Sequence, residues 1–185
     1  MEAKNLVNHQ GNPLLELLID SNFSYWFWWK LVGPDRSQYI KTMNRYRVFF
    51  STLIRALFNT LIISLFKLYD TRRDTVNLNR VLKDIKRDKK LSPKELSKVE
   101  KNYEKAIYFW KKVKTLRHEY FAHLKFDYDE KSLYENAGIA PDEFKELIDL
   151  SMEVFNAFHY HYYGTRLELI NPEEDIKRLF ADLEK

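Results

Sequence analysis

Breaks are scarce in this chain: 4 glycines and 5 prolines serve 185 residues, so whatever lies between them has to run long. Glycine and proline are the strongest local punctuators of a backbone, and uninterrupted segments whose apolar residues recur every three or four positions read as helices. A first helix is expected from about Pro13 to Leu31, closed by Gly33-Pro34, which cannot continue it. A second and longer one is expected from Arg36 to Tyr69, with Phe50, Ile54, Leu57, Leu61, Leu65 and Leu68 on one face. Asp70 to Asp74 form a turn, and a shorter helix follows from Leu78 to Arg87. Ser92-Pro93-Lys94-Glu95 then supplies an N-cap hydroxyl, a proline at the first helical position and a glutamate to close a capping box. After a loop with Asn136, Gly138 and Pro141, a fifth helix should run from Pro141 to Tyr163 with Phe144, Ile148, Phe155 and Tyr162 inward, until Gly164 stops it. A last short helix starts at Asn171-Pro172 and is expected to bury Ile176, Leu179 and Leu183. No alternating strand pattern, repeat or low-complexity linker is present, which predicts an all-α antiparallel helical bundle forming one domain over residues 1–185.

With 45% apolar and 16% aromatic residues the chain can bury a core without staples. It has no cysteine, which excludes disulfides, thiolate zinc sites and cysteine nucleophiles. The amino-terminal MEAKNLVNHQGNP lacks a basic start followed by an apolar stretch, so no secretory signal is expected and the expected location is the cytoplasm. Val48 to Tyr69 is the most apolar segment, but Arg55, Asn59 and Lys67 interrupt it; it reads as a core helix rather than a membrane span, and no membrane partner is expected.

Charge is unevenly distributed. Residues 72–125 hold 17 lysines and arginines against 7 acids, and residues 126–185 hold 6 against 15. A basic middle favours encounter with a polyanion, although a solvated lysine face explains the same count.

The capped helix carries the most specific feature. Apolar residues recur at Leu96, Val99, Tyr103, Ala106, Trp110 and Val113, and the same steps of three and four land next on Arg117, Tyr120 and Leu124. Arg117 is thus expected at a position meant for a buried side chain. A guanidinium cannot shed its charge, so it requires a carboxylate, a phosphate or a water-filled cleft. His123 stands one turn after Glu119 and one before Asp127, either of which can orient its ring.

Other constellations read as structural. His118-Glu119-Tyr120-Phe121-Ala122-His123 has one residue too many for a zinc-peptidase helix, since histidines five apart diverge by about 140°. No metal and no cofactor is expected. His159 and His161, two apart, point to opposite sides of a helix. Tyr25, Trp26, Phe27, Trp28 and Trp29 fit a core or a dimer seam better than a base-stacking platform. The runs from Lys86 to Lys90 and from Lys111 to Lys114 could contact phosphates, the second being next to Arg117.

Arg117-His118, four further residues and His123 resemble the R-x(4–6)-H motif of the HEPN superfamily, whose arginine is followed by a polar residue. Leu65-Phe66-Lys67-Leu68-Tyr69-Asp70, Asp74-Thr75-Val76-Asn77-Leu78 and Phe121-Ala122-His123-Leu124 are similar to the AbiU-type abortive-infection branch. The resemblance implies a four-helix core of about residues 36–165 with additional short helices, and a metal-independent endoribonuclease that dimerises around a shared cleft. It implies His123 and Arg117 as catalytic residues, His118 and Lys114 as phosphate contacts, Glu119 and Asp127 as supporting groups, RNA as partner, and an antitoxin or defence-system partner. Lys125 stands where nucleotidyltransferase-controlled HEPN toxins have tyrosine, which argues against control by tyrosine modification there. The rival reading is a non-catalytic helical dimer that binds a partner or a nucleotide.

Overall fold

The computed structural model describes residues 12–72, 75–89, 91–122 and 137–184, with backbone alone at 120–122. Among them are α1 (Pro13–Val32), a 3₁₀ turn (Pro34–Gln38), α2 (Ile40–Arg45), α3 (Arg47–Leu68), α4 (Leu78–Asp88), α5 (Pro93–Ala122), α6 (Pro141–Tyr163) and α7 (Glu173–Leu183), and no strand.

Local chemistry sets most of these boundaries. The Asn12 side chain accepts from the Leu14 and Leu15 amides to open α1, and Asn77 accepts from the Arg80 amide to open α4. Ser92 and Glu95 form the expected capping box, the Glu95 carboxylate accepting from the Ser92 amide at 2.9 Å while the Ser92 hydroxyl accepts from the Glu95 amide at 3.3 Å. Gly164 ends α6 at φ 69°, a left-handed conformation that glycine adopts without steric cost.

The four long helices close a ring in the order α1, α3, α5, α6. Each neighbour runs antiparallel to the last. Trp28 packs on Phe58, and Leu31 shares a cluster with Phe50, so α1 and α3 run in opposite directions. Tyr69 faces Tyr103 and Phe66 faces Trp110 across α3 and α5; Lys105 pairs with Glu146 and Lys112 with Glu143 across α5 and α6. At the centre, Trp28, Phe58 and Phe144 meet edge to face and tilted, and the Tyr69 hydroxyl reaches Ser151 Oγ at 2.7 Å.

Two expectations need correction. The helix predicted over Arg36–Tyr69 is broken at Tyr46, whose φ −115° and ψ 45° leave the helical region although the amide bonds from Tyr46 to Thr42 and from Phe50 to Tyr46 persist. No glycine or proline marks the break. Its role is in packing: Tyr39 and Met43 before the bend and Phe50 after it join Leu31, Ile176 and Phe180 in a second apolar cluster, with Tyr39 stacked on Phe180 at 4.0 Å. Lys30 pins this corner through Asp35 at 2.6 Å and Glu173 at 2.9 Å, and those hydrogen bonds push its ammonium up to about 12. In α7 the residue that enters this cluster beside Ile176 is Phe180, while Leu179 is exposed.

Helix α3 is long and apolar enough to cross a membrane, the one such helix among the described residues, and 33% of its most apolar stretch is buried. Leu61, Ile62, Leu65 and Leu68 line the bundle interior; Val48, Phe49, Thr52, Arg55, Ala56 and Thr60 face out. The tryptophan-rich segment of α1 serves the core, with Tyr25 and Trp28 buried and Trp26 and Trp29 packed against the same cluster.

Candidate active site on the seam between α3 and α5

Arg117 is exposed, not buried as the three-and-four stepping implies. The buried side of α5 is centred away from that stripe: Phe109 is buried while Tyr103 and Trp110 are half-buried, and at 100° per residue Arg117 falls on the Tyr103 and Trp110 edge. Near the end of α5 the inward position belongs to Leu116, which lies with Phe109 and Val113 in the core. Arg117 is left at the rim.

The rim is a built surface. The Arg117 guanidinium lies 4.2 Å from the centroid of the Phe66 ring. Phe66 in turn stacks at 6.0 Å on Trp110, whose indole N–H donates to the Phe66 carbonyl at 3.2 Å. Lys114 Nζ lies 5.6 Å from the Trp110 centroid. Trp110, Lys114 and Arg117 are spaced by four and three, so α5 presents them on one side, and Phe66 from α3 completes a stack of two rings with a cation at each end. No carboxylate pairs with Arg117 among the described residues. Its donors are directed by a ring face, which leaves the hydrogen-bonding edge of the fork available to an oxyanion.

The flanking lysine behaves differently. Lys112 is held at 2.6 Å by Glu143, which also accepts from the Ala140 amide at 2.8 Å at the start of α6. Burial works to lower its affinity for a proton, but the Glu143 hydrogen bond and charge prevail and its pKa is raised.

Of the sequence-predicted site residues, Lys114 and Arg117 come together on this seam. His118 is exposed and Glu119 half-buried on the adjoining flank of α5, each engaged in interactions of its own. His123 and Asp127 lie outside the described residues. Sequence reasoning placed Trp110 in the buried stripe and missed Phe66 as the seat of Arg117. The signal was present in the half-polar run Leu65-Phe66-Lys67, where a large ring follows a core leucine. His159 and His161 are separate, as their spacing predicts: His159 is buried between Phe155 and Tyr163 with Nδ1 2.8 Å from the Thr165 carbonyl, and His161 sits edge-on to Tyr162.

On the opposite edge of the bundle, α1, α6 and the extended segment 165–171 enclose an open cleft of about 460 Å³ that includes Trp26, Met152, Lys145 and Arg166. Its cations are neutralised locally, Lys145 by Asp149 and Arg166 by Glu153 at 3.8 Å. It offers a polyanion no net attraction.

The fold is an all-helical bundle consistent with a HEPN-like domain, and its longest helix carries near its end an exposed arginine seated on an aromatic seam. The chain belongs to the AbiU2 family of HEPN domains, whose model matches residues 4–180. It is therefore an abortive-infection-related HEPN domain, within a superfamily in which ribonucleases are frequent. No curated protein and no solved structure matches the chain.

Proposed function

We propose that the chain is a metal-independent endoribonuclease of abortive infection, acting in antiphage defence or as a toxin in the cytoplasm. The observation that carries this reading is the state of Arg117: exposed, without a carboxylate partner among the described residues, and oriented by Phe66 six positions before His123.

Cleaving RNA without a metal requires that the ribose 2′-hydroxyl lose its proton as its oxygen attacks phosphorus, and that the departing 5′-oxygen gain one. Histidine suits this proton work, with an unperturbed pKa of about 6.5. His123 acts as general acid or base, oriented by Glu119 or Asp127. Arg117 neutralises the charge that develops on the five-coordinate phosphorus, where a fixed fork of donors is most effective. Lys114 and His118 hold neighbouring phosphates. The products are a 2′,3′-cyclic phosphate and a 5′-hydroxyl. Each chain contributes one such pair, and a two-fold homodimer supplies both proton-transfer groups to one cleft.

The decisive experiment incubates purified protein with transfer and messenger RNA and determines the end groups of the fragments. Wild type is expected to cleave in the presence of chelator, and His123→Ala and Arg117→Ala to be inactive with unchanged melting. Cleavage that survives both substitutions refutes the assignment; loss of cleavage in chelator points to a metal. Overexpression separates the rival reading, because a non-catalytic partner- or nucleotide-binding dimer gives no growth arrest that His123→Ala relieves.

A further inference from the structure

The longest stretch of this chain without an acidic residue is Arg36 to Tyr69, which carries Arg36, Lys41, Arg45, Arg47, Arg55 and Lys67 and no aspartate or glutamate. None of these six cations makes an ion pair among the described residues. The stretch includes the bend at Tyr46, and there six consecutive residues, Asn44 to Phe49, are exposed. A helix lying on a core hides a residue in every turn, so an unbroken exposed run means that the α2–α3 corner projects as a knuckle. It projects large side chains: Val48 is 81% exposed, Phe49 58%, Ile40 46% and Tyr46 39%. Arg45 lies over Tyr46, its guanidinium carbon 5.5 Å from the ring centroid.

Two kinds of anionic partner match a basic, aromatic knuckle. A lipid surface requires an uninterrupted apolar face bordered by cations. This knuckle lacks one: Arg55 follows Val48 by seven residues and so falls within about 20° of it on α3, and Arg45 and Arg47 flank Tyr46 directly. Interleaved rings and guanidinium groups instead suit single-stranded nucleic acid, whose bases stack on aromatic faces while phosphates meet the cations between them. The knuckle and the seam stand at opposite ends of α3. Phe49 precedes Phe66 by 17 residues, which at the helical rise is about 25 Å.

We infer that the α2–α3 knuckle is a second RNA-binding site, which grips a single-stranded segment of the substrate several nucleotides from the bond cut beside Arg117, with Tyr46 and Phe49 stacking on bases and Arg45, Arg47 and Arg55 contacting phosphates. The inference rests on RNA being the substrate.

Its test uses a fully 2′-O-methylated single-stranded RNA, which lacks the attacking hydroxyl, so that binding is read apart from cleavage. Fluorescence anisotropy across a salt series compares wild type with Arg45→Gln/Arg47→Gln/Arg55→Gln and with Tyr46→Ala/Phe49→Ala, each checked for unchanged melting. The triple variant is expected to bind about tenfold more weakly or worse, with the slope of log affinity against log salt shallower by about 2, as for three lost phosphate contacts on a single strand. The double variant is expected to weaken binding about tenfold with the slope retained, because stacking releases no counterions. On unmodified RNA the triple variant should raise KM several-fold with little change in kcat. Affinities equal to wild type in both variants overturn the inference, as does binding to anionic vesicles that depends on the knuckle while RNA affinity does not. Wild-type cleavage with an unaltered KM in the triple variant removes the knuckle and leaves the ribonuclease standing; inactive wild type that still binds methylated RNA through the knuckle does the reverse.

Discussion

Two cationic regions of this domain differ in a way that net charge does not report. Residues 72–125 mix 17 cations with 7 acids, and there Arg72, Lys86, Arg87, Lys105 and Lys112 are each tied to a carboxylate while Lys83, Lys98, Lys111 and Lys114 make no ion pair among the described residues. Residues 36–69 hold only six cations, and none of them is paired among the described residues. What a polyanion meets is the unpaired charge, and the fold decides that by placing acids within reach. Arg117 stands with the unpaired cations of the first region, its neighbour being a ring instead of a carboxylate, as for Lys114.

The sharpest way to break this comparison is to remove one cation of each kind from the same helix. Arg117→Ala is expected to lower kcat for RNA cleavage by about 100-fold or more, the scale of losing one preorganised oxyanion donor, with unchanged melting since the side chain is exposed. Lys112→Gln, five residues earlier, should leave kcat within twofold of wild type and cost about 1 kcal/mol in urea unfolding, because it parts α5 from Glu143. Equal losses of cleavage in the two variants would mean that pairing does not distinguish them. A smaller effect tests the seat of Arg117. Phe66→Leu keeps the apolar bulk and removes the ring face, worth about 0.5 to 1 kcal/mol, so a two- to fivefold fall in kcat is expected while KM for a short RNA holds.

The smallest expected effect lies where α4 meets α6. The Tyr162 hydroxyl donates to Asp88; burial first, and then that carboxylate, push the Tyr162 pKa up to about 12. A raised folded pKa favours the folded state while the phenol stays protonated. The contribution is therefore intact below about pH 10 and lost as pH climbs towards 12. Tyr162→Phe should flatten the pH dependence of melting in that interval and change little at neutral pH.

The elements that sequence made legible are those with chemical punctuation. Asn12, Gly33-Pro34, Asn77, the Ser92–Glu95 box and Gly164 each start or stop a helix where a side chain or a backbone angle leaves no alternative. The break at Tyr46 was illegible because no residue there disfavours helix. It follows from the demand that Tyr39, Met43 and Phe50 meet α7, a tertiary requirement absent from any local pattern. The exposure of Arg117 is illegible for a related reason: the apolar stripe does not tell which of its edges packs, and Phe109 draws the buried side away from the edge that Tyr103, Trp110 and Arg117 share. For the candidate site, spacing brought Lys114 and Arg117 to one face, but that they share an aromatic stack depends on Phe66 from another helix. His123 and Asp127 remain assignments from motif and spacing.

The extended segment before α7 is fastened by side-chain amides. Asn156 donates to the Leu167 carbonyl and accepts from the Leu167 amide, both at 2.9 Å, and Asn22 donates to the Ile170 carbonyl at 2.7 Å. These stitches read main chain alone and are indifferent to which residues stand at 167 and 170. The path of the ribbon at these two points is thus set by the two asparagines rather than by its own side chains, and Leu167 and Leu169, which also pack against the core, add to a course already fixed.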